Sequence, residues 1–133
     1  MSTSPLSRAQ ETCNLAGFGG AAQIEPNLVE WGYGEYEGRT TAQIQAEAPG
    51  WSIWRSGVLG GEQIAEVAAR ANCVIRRALR EDEDVALFGH GHILRILAAC
   101  WLELPPDSDR LFPLETAAIG VLGYERDVRV ISR

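Results

Sequence analysis

Residues 84–92 read D-V-A-L-F-G-H-G-H and indicate a β-strand that leads through a glycine turn into a helix. The run from Asp84 to Gly89 is apolar without alternation, which is typical of a parallel strand covered on both faces. The segment from Ile93 to Leu102 is apolar nearly all round, which favours a buried helix packed on the sheet. Strand, turn and helix together predict a βα unit, and therefore an α/β fold.

Elements on either side of this unit support the same interpretation. Apolar residues recur at helical spacing from Ile64 to Leu79 and predict a long amphipathic helix. Thr40 and Gln43 match a capping box, and Ser4-Pro5 matches an N-cap followed by proline at the first helical position. Two β-rich runs near the end of the chain predict an antiparallel hairpin, with strands at residues 117–124 and 128–132.

Length and charge restrict the classes of protein that the chain can belong to. With 133 residues, it has the size of a single domain, residues 1–133. The 12 Lys and Arg residues against 18 Asp and Glu residues give a net charge of -6, which argues against a nucleic-acid partner. An anionic ligand therefore requires a local positive site.

Cysteine usage and hydropathy indicate the compartment. Cys13, Cys73 and Cys100 are odd in number and far apart in sequence, which favours free thiols in a reducing environment over a disulfide framework. The sequence shows neither a signal peptide nor an apolar run of membrane-spanning length. We therefore expect a cytoplasmic protein without a membrane partner.

His90 is the first candidate for chemistry, because it lies between two glycines where the predicted strand meets the helix. Open α/β sheets bind ligands at this edge, and a helix N-terminus attracts anions. A histidine that merely caps the helix is an alternative, and a metal bound by His90 and His92 is another. No acidic or cysteine cluster accompanies the two histidines, so we expect no metal.

Arg8, Glu30 and the tryptophans are weaker candidates when each is taken alone. Arg8 could bind a phosphate through its guanidinium, or could be a solvated helix residue. Glu30 stands before the aromatic and glycine-rich stretch of residues 31–34, as expected either of a general acid or of a surface-loop carboxylate. Trp51 and Trp54 could line a pocket or pack in the core.

Four ordered motifs carry a resemblance to a known family. They are T-S-P-L-S-R-A-Q-E-T at residues 3–12, L-V-E-W-G-Y-G-E-Y-E-G at 28–38, G-G-E at 60–62 and F-G-H-G-H at 88–92. The chain resembles the histidine phosphatase superfamily, also called phosphoglycerate-mutase-like. The resemblance implies a three-layer α/β fold, with a mostly parallel sheet flanked by helices, from which the family's first strand and first helix are missing.

The same resemblance implies roles for individual residues. Arg8 matches the family's phosphate-binding arginine, Glu30 the proton donor to the leaving oxygen, and His90 the second histidine, which steadies the phosphoryl group together with Gly91. The expected substrate is a small phosphomonoester, and no cofactor is implied. A substrate pocket is expected among four neighbouring side chains: Trp31, Tyr33, Trp54 and His92.

One departure from the family pattern affects the expected activity. In the family, the nucleophile is a histidine in an Arg-His-Gly motif, and this sequence has no such motif. We therefore expect the chain alone to be inactive, or nearly so, although its full-length parent would act through a phosphohistidine. Without the family's first strand, a sheet edge is expected to be exposed and to pair with a second copy in a homodimer.

Three functions remain open at this point. The short span between Glu30 and His90 and the tryptophans resemble the broad-specificity phosphatase branch, which favours phosphomonoester hydrolysis. A phosphoglycerate mutase is the first alternative. The second is a non-catalytic module that keeps an anion pocket formed by Arg8, Glu30 and His90.

Overall fold

A three-stranded parallel sheet lies at the centre of the computed structural model, which describes all of residues 1–133. Its strand order is β2-β1-β3, where β1 is Ser2–Thr3, β2 is Gln23–Ile24 and β3 is Leu87–Phe88. Ser2 is in register with both Gln23 and Leu87. Because the strands are parallel, their carboxyl ends share one edge of the sheet, where the chain continues into Ser4 and Gly89.

Helices account for most of the remaining regular structure. The α-helices are α1 at Ser7–Leu15, α2 at Thr41–Glu47, α3 at Ile53–Ser56, α4 at Ile64–Ala78 and α5 at Gly91–Trp101. Short 3-10 helices span Pro26–Leu28, Gly34–Tyr36 and Pro106–Leu111. The C-terminal hairpin pairs β4, Leu122–Glu125, with β5, Val128–Ile131, in antiparallel fashion. None of the helices is long and apolar enough to cross a membrane.

The sheet is covered by helices on both faces. Leu87 packs against the core that α4 and α5 form, whereas the Phe88 ring lies 6.2 Å from the ring of Phe18, just beyond α1. Successive side chains of a strand point to opposite faces. The α1 helix therefore lies on one face and α4 and α5 on the other, which confirms the predicted three-layer α/β fold.

The main core lies between α4 and α5. Val67 and Ala71 of α4 and Ile93 and Ile96 of α5 are completely buried there. The spacing of the α4 residues is that of one helical face, which confirms the long amphipathic helix predicted from the sequence. The capping box of α2 is also present, with Thr40 and Gln43 each bonded to the other's backbone amide.

Three predictions about element boundaries need correction. The strand predicted for residues 84–89 contains only Leu87–Phe88 and is half-buried, because it pairs with β1 on one side and with no strand on the other. Ser4 is not the N-cap of α1, which begins at Ser7 after Leu6. The first strand of the hairpin begins at Leu122, because the preceding residues form turns and exposed loop. The homodimer stays a prediction.

We predict that Leu97 of α5 contributes strongly to stability. Its side chain is only 3% exposed, so Leu97→Ala should lower the free energy of unfolding by about 2–5 kcal/mol through lost contacts and a cavity. The matched change Leu15→Ala, at a helix residue that is 84% exposed, should alter it by no more than about 0.5 kcal/mol. Urea unfolding followed by tryptophan fluorescence measures both, and equal effects would contradict this account of the core.

Candidate active site

Glu30 is held at the N-terminus of α5. One carboxylate oxygen accepts the backbone amides of Trp31 and Ile93, both at 2.9 Å, and the other accepts the amide of His92 at 3.1 Å. Amides in the first turn of a helix have no partner within the helix and favour a negative charge. Glu30 is therefore a fixed carboxylate at the carboxyl edge of the sheet, and the alternative of a surface-loop carboxylate does not apply.

His90 immediately precedes α5, and its side chain is buried beside β1. The ring Nε2 lies 2.9 Å from the hydroxyl of Ser4, which is itself completely buried. The imidazole does not cap the helix, so the capping alternative does not apply. Burial lowers the pKa of His90, and the positive charge of Arg8 lowers it further, while Glu30 opposes both. The neutral ring is therefore favoured.

Arg8 and the amide of Gly91 are the free donors of the site. Arg8 lies in the first turn of α1, is exposed, and takes part in no ion pair within the chain. Its positive charge lowers the pKa of both His90 and Tyr33. The Gly91 amide donates no hydrogen bond to the chain, unlike the next two amides of α5.

Tyr33 adds a protonated hydroxyl to this group. Burial raises the pKa of Tyr33 well above its usual range, and the negative charges of Glu30 and Glu37 raise it further. The phenol therefore stays protonated and can donate a hydrogen bond. The structure thus brings Arg8, Glu30, Tyr33, His90 and Gly91 together around one end of α5.

His92 and Trp54 share one buried partner. His92 Nδ1 lies 3.0 Å from one oxygen of Asp109, and the Trp54 indole donates to the other oxygen. Asp109 is completely buried. The two histidines thus have separate hydrogen-bond partners, Ser4 and Asp109.

The aromatic residues form one edge of the site, but they do not all face a substrate. The His92 ring makes edge-on contacts with Trp31, Tyr33 and Trp54, with ring centroids 5.6, 6.2 and 6.1 Å away. Trp31 is only 1% exposed, so its predicted place in the pocket wall needs correction. Its indole donates to the carbonyl of Glu62, and it packs behind the half-buried rings of Tyr33 and His92.

Arg70 and Glu62 hold the loop that carries Glu30, and sequence reasoning missed this role for both. Arg70 binds both carboxylate oxygens of Glu62, at 2.9 and 2.8 Å, and also backbone carbonyls of the loop. Burial raises the pKa of Glu62, but the hydrogen bonds from Arg70 and Gly32 and the charge of Arg70 outweigh burial and lower it overall. The sequence signals were the G-G-E motif at residues 60–62 and an arginine eight positions after its glutamate.

We predict that Arg8 controls the protonation of His90. With a folded-state pKa below the ordinary 6.5, His90 binds fewer protons in the folded than in the unfolded chain. The free energy of unfolding should therefore rise with pH from the folded-state pKa up to the ordinary value, and fall as the solution is acidified through that window. Arg8→Gln should raise the pKa of His90 and so narrow the pH range over which stability changes. Arg76→Gln, on the exposed side of α4, should do neither. A proton NMR titration of the ring measures this, and equal pKa values in both variants would refute the coupling.

Comparison with known proteins identifies the family of the chain. The family model of the histidine phosphatase superfamily (branch 1) matches residues 1–133. An acid phosphatase of Mycobacterium tuberculosis is 37% identical over 131 residues, which are 97% of this chain and 64% of the relative. The chain thus spans less than two thirds of that relative's length.

Solved structures give the same result. The structure of the product of a Mycobacterium tuberculosis open reading frame superimposes with a TM-score of 0.93 and 36% identity, covering 99% of this chain and 69% of the other. A mycobacterial glucosyl-3-phosphoglycerate phosphatase in complex with inorganic phosphate gives a TM-score of 0.84 and 26% identity, covering 100% and 74%. The chain belongs to the histidine phosphatase superfamily, branch 1.

Proposed function

We propose that this chain provides the proton donor and the anion-binding groups of a phosphomonoesterase. The observation that carries the proposal is the placement of the Glu30 carboxylate beside the unused amide of Gly91, at the carboxyl edge of a parallel sheet. The charge of Arg8 acts on His90, the residue before Gly91. Ligands bind at this edge in open α/β sheets. A relative of similar fold is solved with inorganic phosphate, which supports the same class of ligand.

Each group has a defined part in the proposed reaction. Arg8 and the Gly91 amide donate to phosphate oxygens, and His90 donates from its ring once it is protonated. Glu30, in its protonated form, gives a proton to the oxygen of the departing alcohol. The substrate we propose is a small phosphomonoester.

The nucleophile is the part of the reaction that residues 1–133 do not supply. The only histidines are His90 and His92, and each is hydrogen-bonded to another side chain, Ser4 or Asp109. We propose that a phosphohistidine mechanism needs a histidine from outside these residues. Without it, electrostatic binding remains but the covalent step is lost.

A second candidate function follows from the anion-binding donors alone. Because these donors are in place and no Arg-His-Gly motif occurs in residues 1–133, these residues also fit a module that binds a phosphate group without turning it over. Binding and hydrolysis measured separately on the same protein distinguish the two functions.

We predict that inorganic phosphate binds at Arg8. A charge-assisted hydrogen bond contributes about 1.5 kcal/mol or more, so Arg8→Ala should raise the dissociation constant about tenfold. Arg76→Ala removes an exposed arginine from α4 and should leave the constant unchanged. Isothermal titration calorimetry measures both, and equal affinities in the wild type and Arg8→Ala would place the anion elsewhere.

We predict that the chain does not hydrolyse an aryl phosphate. Neither the wild type nor His90→Ala should release product above background between about pH 5 and 7, where imidazoles titrate. Phosphate binding by the same wild-type sample serves as the control for a formed site. Hydrolysis by the wild type would contradict the proposed need for a further histidine, and its loss in His90→Ala would assign that activity to this site.

A further inference from the structure

The guanidinium of Arg70, in α4, is hydrogen-bonded to the loop that carries Glu30 and to Glu62. The side chain has five N–H donors, and the structure gives it five hydrogen bonds. Two go to the carboxylate of Glu62. The other three go to backbone carbonyls, those of Asn27 and Val29 at 2.8 Å and that of Glu30 at 3.3 Å.

Glu62 holds the loop on the other side of Glu30. One of its carboxylate oxygens accepts the amide of Gly32 at 2.8 Å, and its own amide donates to the carbonyl of Gly32 at 2.9 Å. Its carbonyl accepts the indole of Trp31 at 2.9 Å. Arg70 therefore fixes the backbone up to Glu30, and Glu62 fixes the two residues that follow.

The position of the Glu30 side chain is restricted by the hydrogen bonds that its carboxylate makes. Its carboxylate must meet three amides, and two of them belong to α5, a different element from the loop. The Arg70 and Glu62 side chains are only 17% and 25% exposed, so solvent screens this ion pair less than an exposed one. A lysine at position 70 would keep the charge but lose the planar fork that reaches the carboxylate and the carbonyls at once.

We infer that Arg70, acting through Glu62 and the backbone, is a positioning residue for the Glu30 carboxylate. Its importance for chemistry rests on the proposed function of Glu30 as the proton donor. The alternative is that the pair only stabilises the fold, in which case its loss would lower stability without moving the carboxylate away from α5.

The test compares amide NMR signals of the full chain in three variants. The signals of His92 and Ile93 report the hydrogen bonds to Glu30, and Glu30→Gln defines where they lie when the charged acceptor is lost. Arg70→Lys should move both signals most of the way towards these positions. Arg77→Lys is the matched control, because Arg77 lies two turns further along α4 and pairs with another buried glutamate, Glu25. It should leave both signals at their wild-type positions.

The outcomes distinguish a role of Arg70 in positioning Glu30 from a role in the stability of the fold only. Wild-type amide signals in Arg70→Lys, with or without a lower melting temperature, would overturn the inference. If Arg70→Lys does not fold, Glu62→Gln replaces it. That change keeps the size of the side chain and weakens the same ion pair between Arg70 and Glu62. Titration of the wild type with inorganic phosphate separates the two proposals: failure to bind would refute the proposed function, while the amide signals would still decide the role of Arg70.

Discussion

The first amides of α5 need hydrogen-bond acceptors, and the Glu30 carboxylate is the acceptor that the chain provides. This contact joins a loop to a helix more than 60 residues further along the chain. It also fixes where an incoming anion can bind. Two amides of the first turn are already occupied, so only the Gly91 amide remains for a ligand at this end of the helix. The acid and the anion-binding donor are thereby adjacent.

Charge explains why the positive potential of the site is local. The chain carries a net charge of -6, so its overall field repels phosphate. The charge of Arg70 is neutralised by Glu62, whereas Arg8 forms no ion pair with an acidic side chain. The unpaired charge of Arg8 and the N-terminus of α5 are then what attract an anion. The two arginines therefore have different roles, because Arg70, whose N–H groups are all hydrogen-bonded within the chain, cannot also bind a ligand.

Features that depend on neighbouring residues were predictable from the sequence. The capping box of α2, the apolar face of α4 and the strand-turn-helix unit around His90 are all of this kind. The length of β3 was not predictable, because an apolar run does not reveal whether a strand has neighbours on both sides. The positions of Arg8, Glu30 and His90 followed from motifs matched to a family, and the structure places these residues together.

Arg70 and Asp109 illustrate the limit of that reasoning. The helical pattern only places Arg70 off the apolar face of α4. The three backbone carbonyls that it binds lie about 40 residues earlier in the chain. Asp109 was not among the candidates named from the sequence, yet it is completely buried and bonded to His92 and Trp54. Both roles arise from contacts between distant segments, which a local pattern does not encode.

The partner of His90 shows how the site can tolerate a change of charge. The Ser4 hydroxyl is both a donor and an acceptor, so it can donate to a neutral ring nitrogen or accept from a protonated one. Burial and Arg8 favour the neutral ring in the free protein. A bound phosphate adds negative charge beside the ring and favours its protonated form. Because Ser4 can match either state by rotating its hydroxyl proton, His90 can gain a proton as the anion arrives without losing its place next to β1.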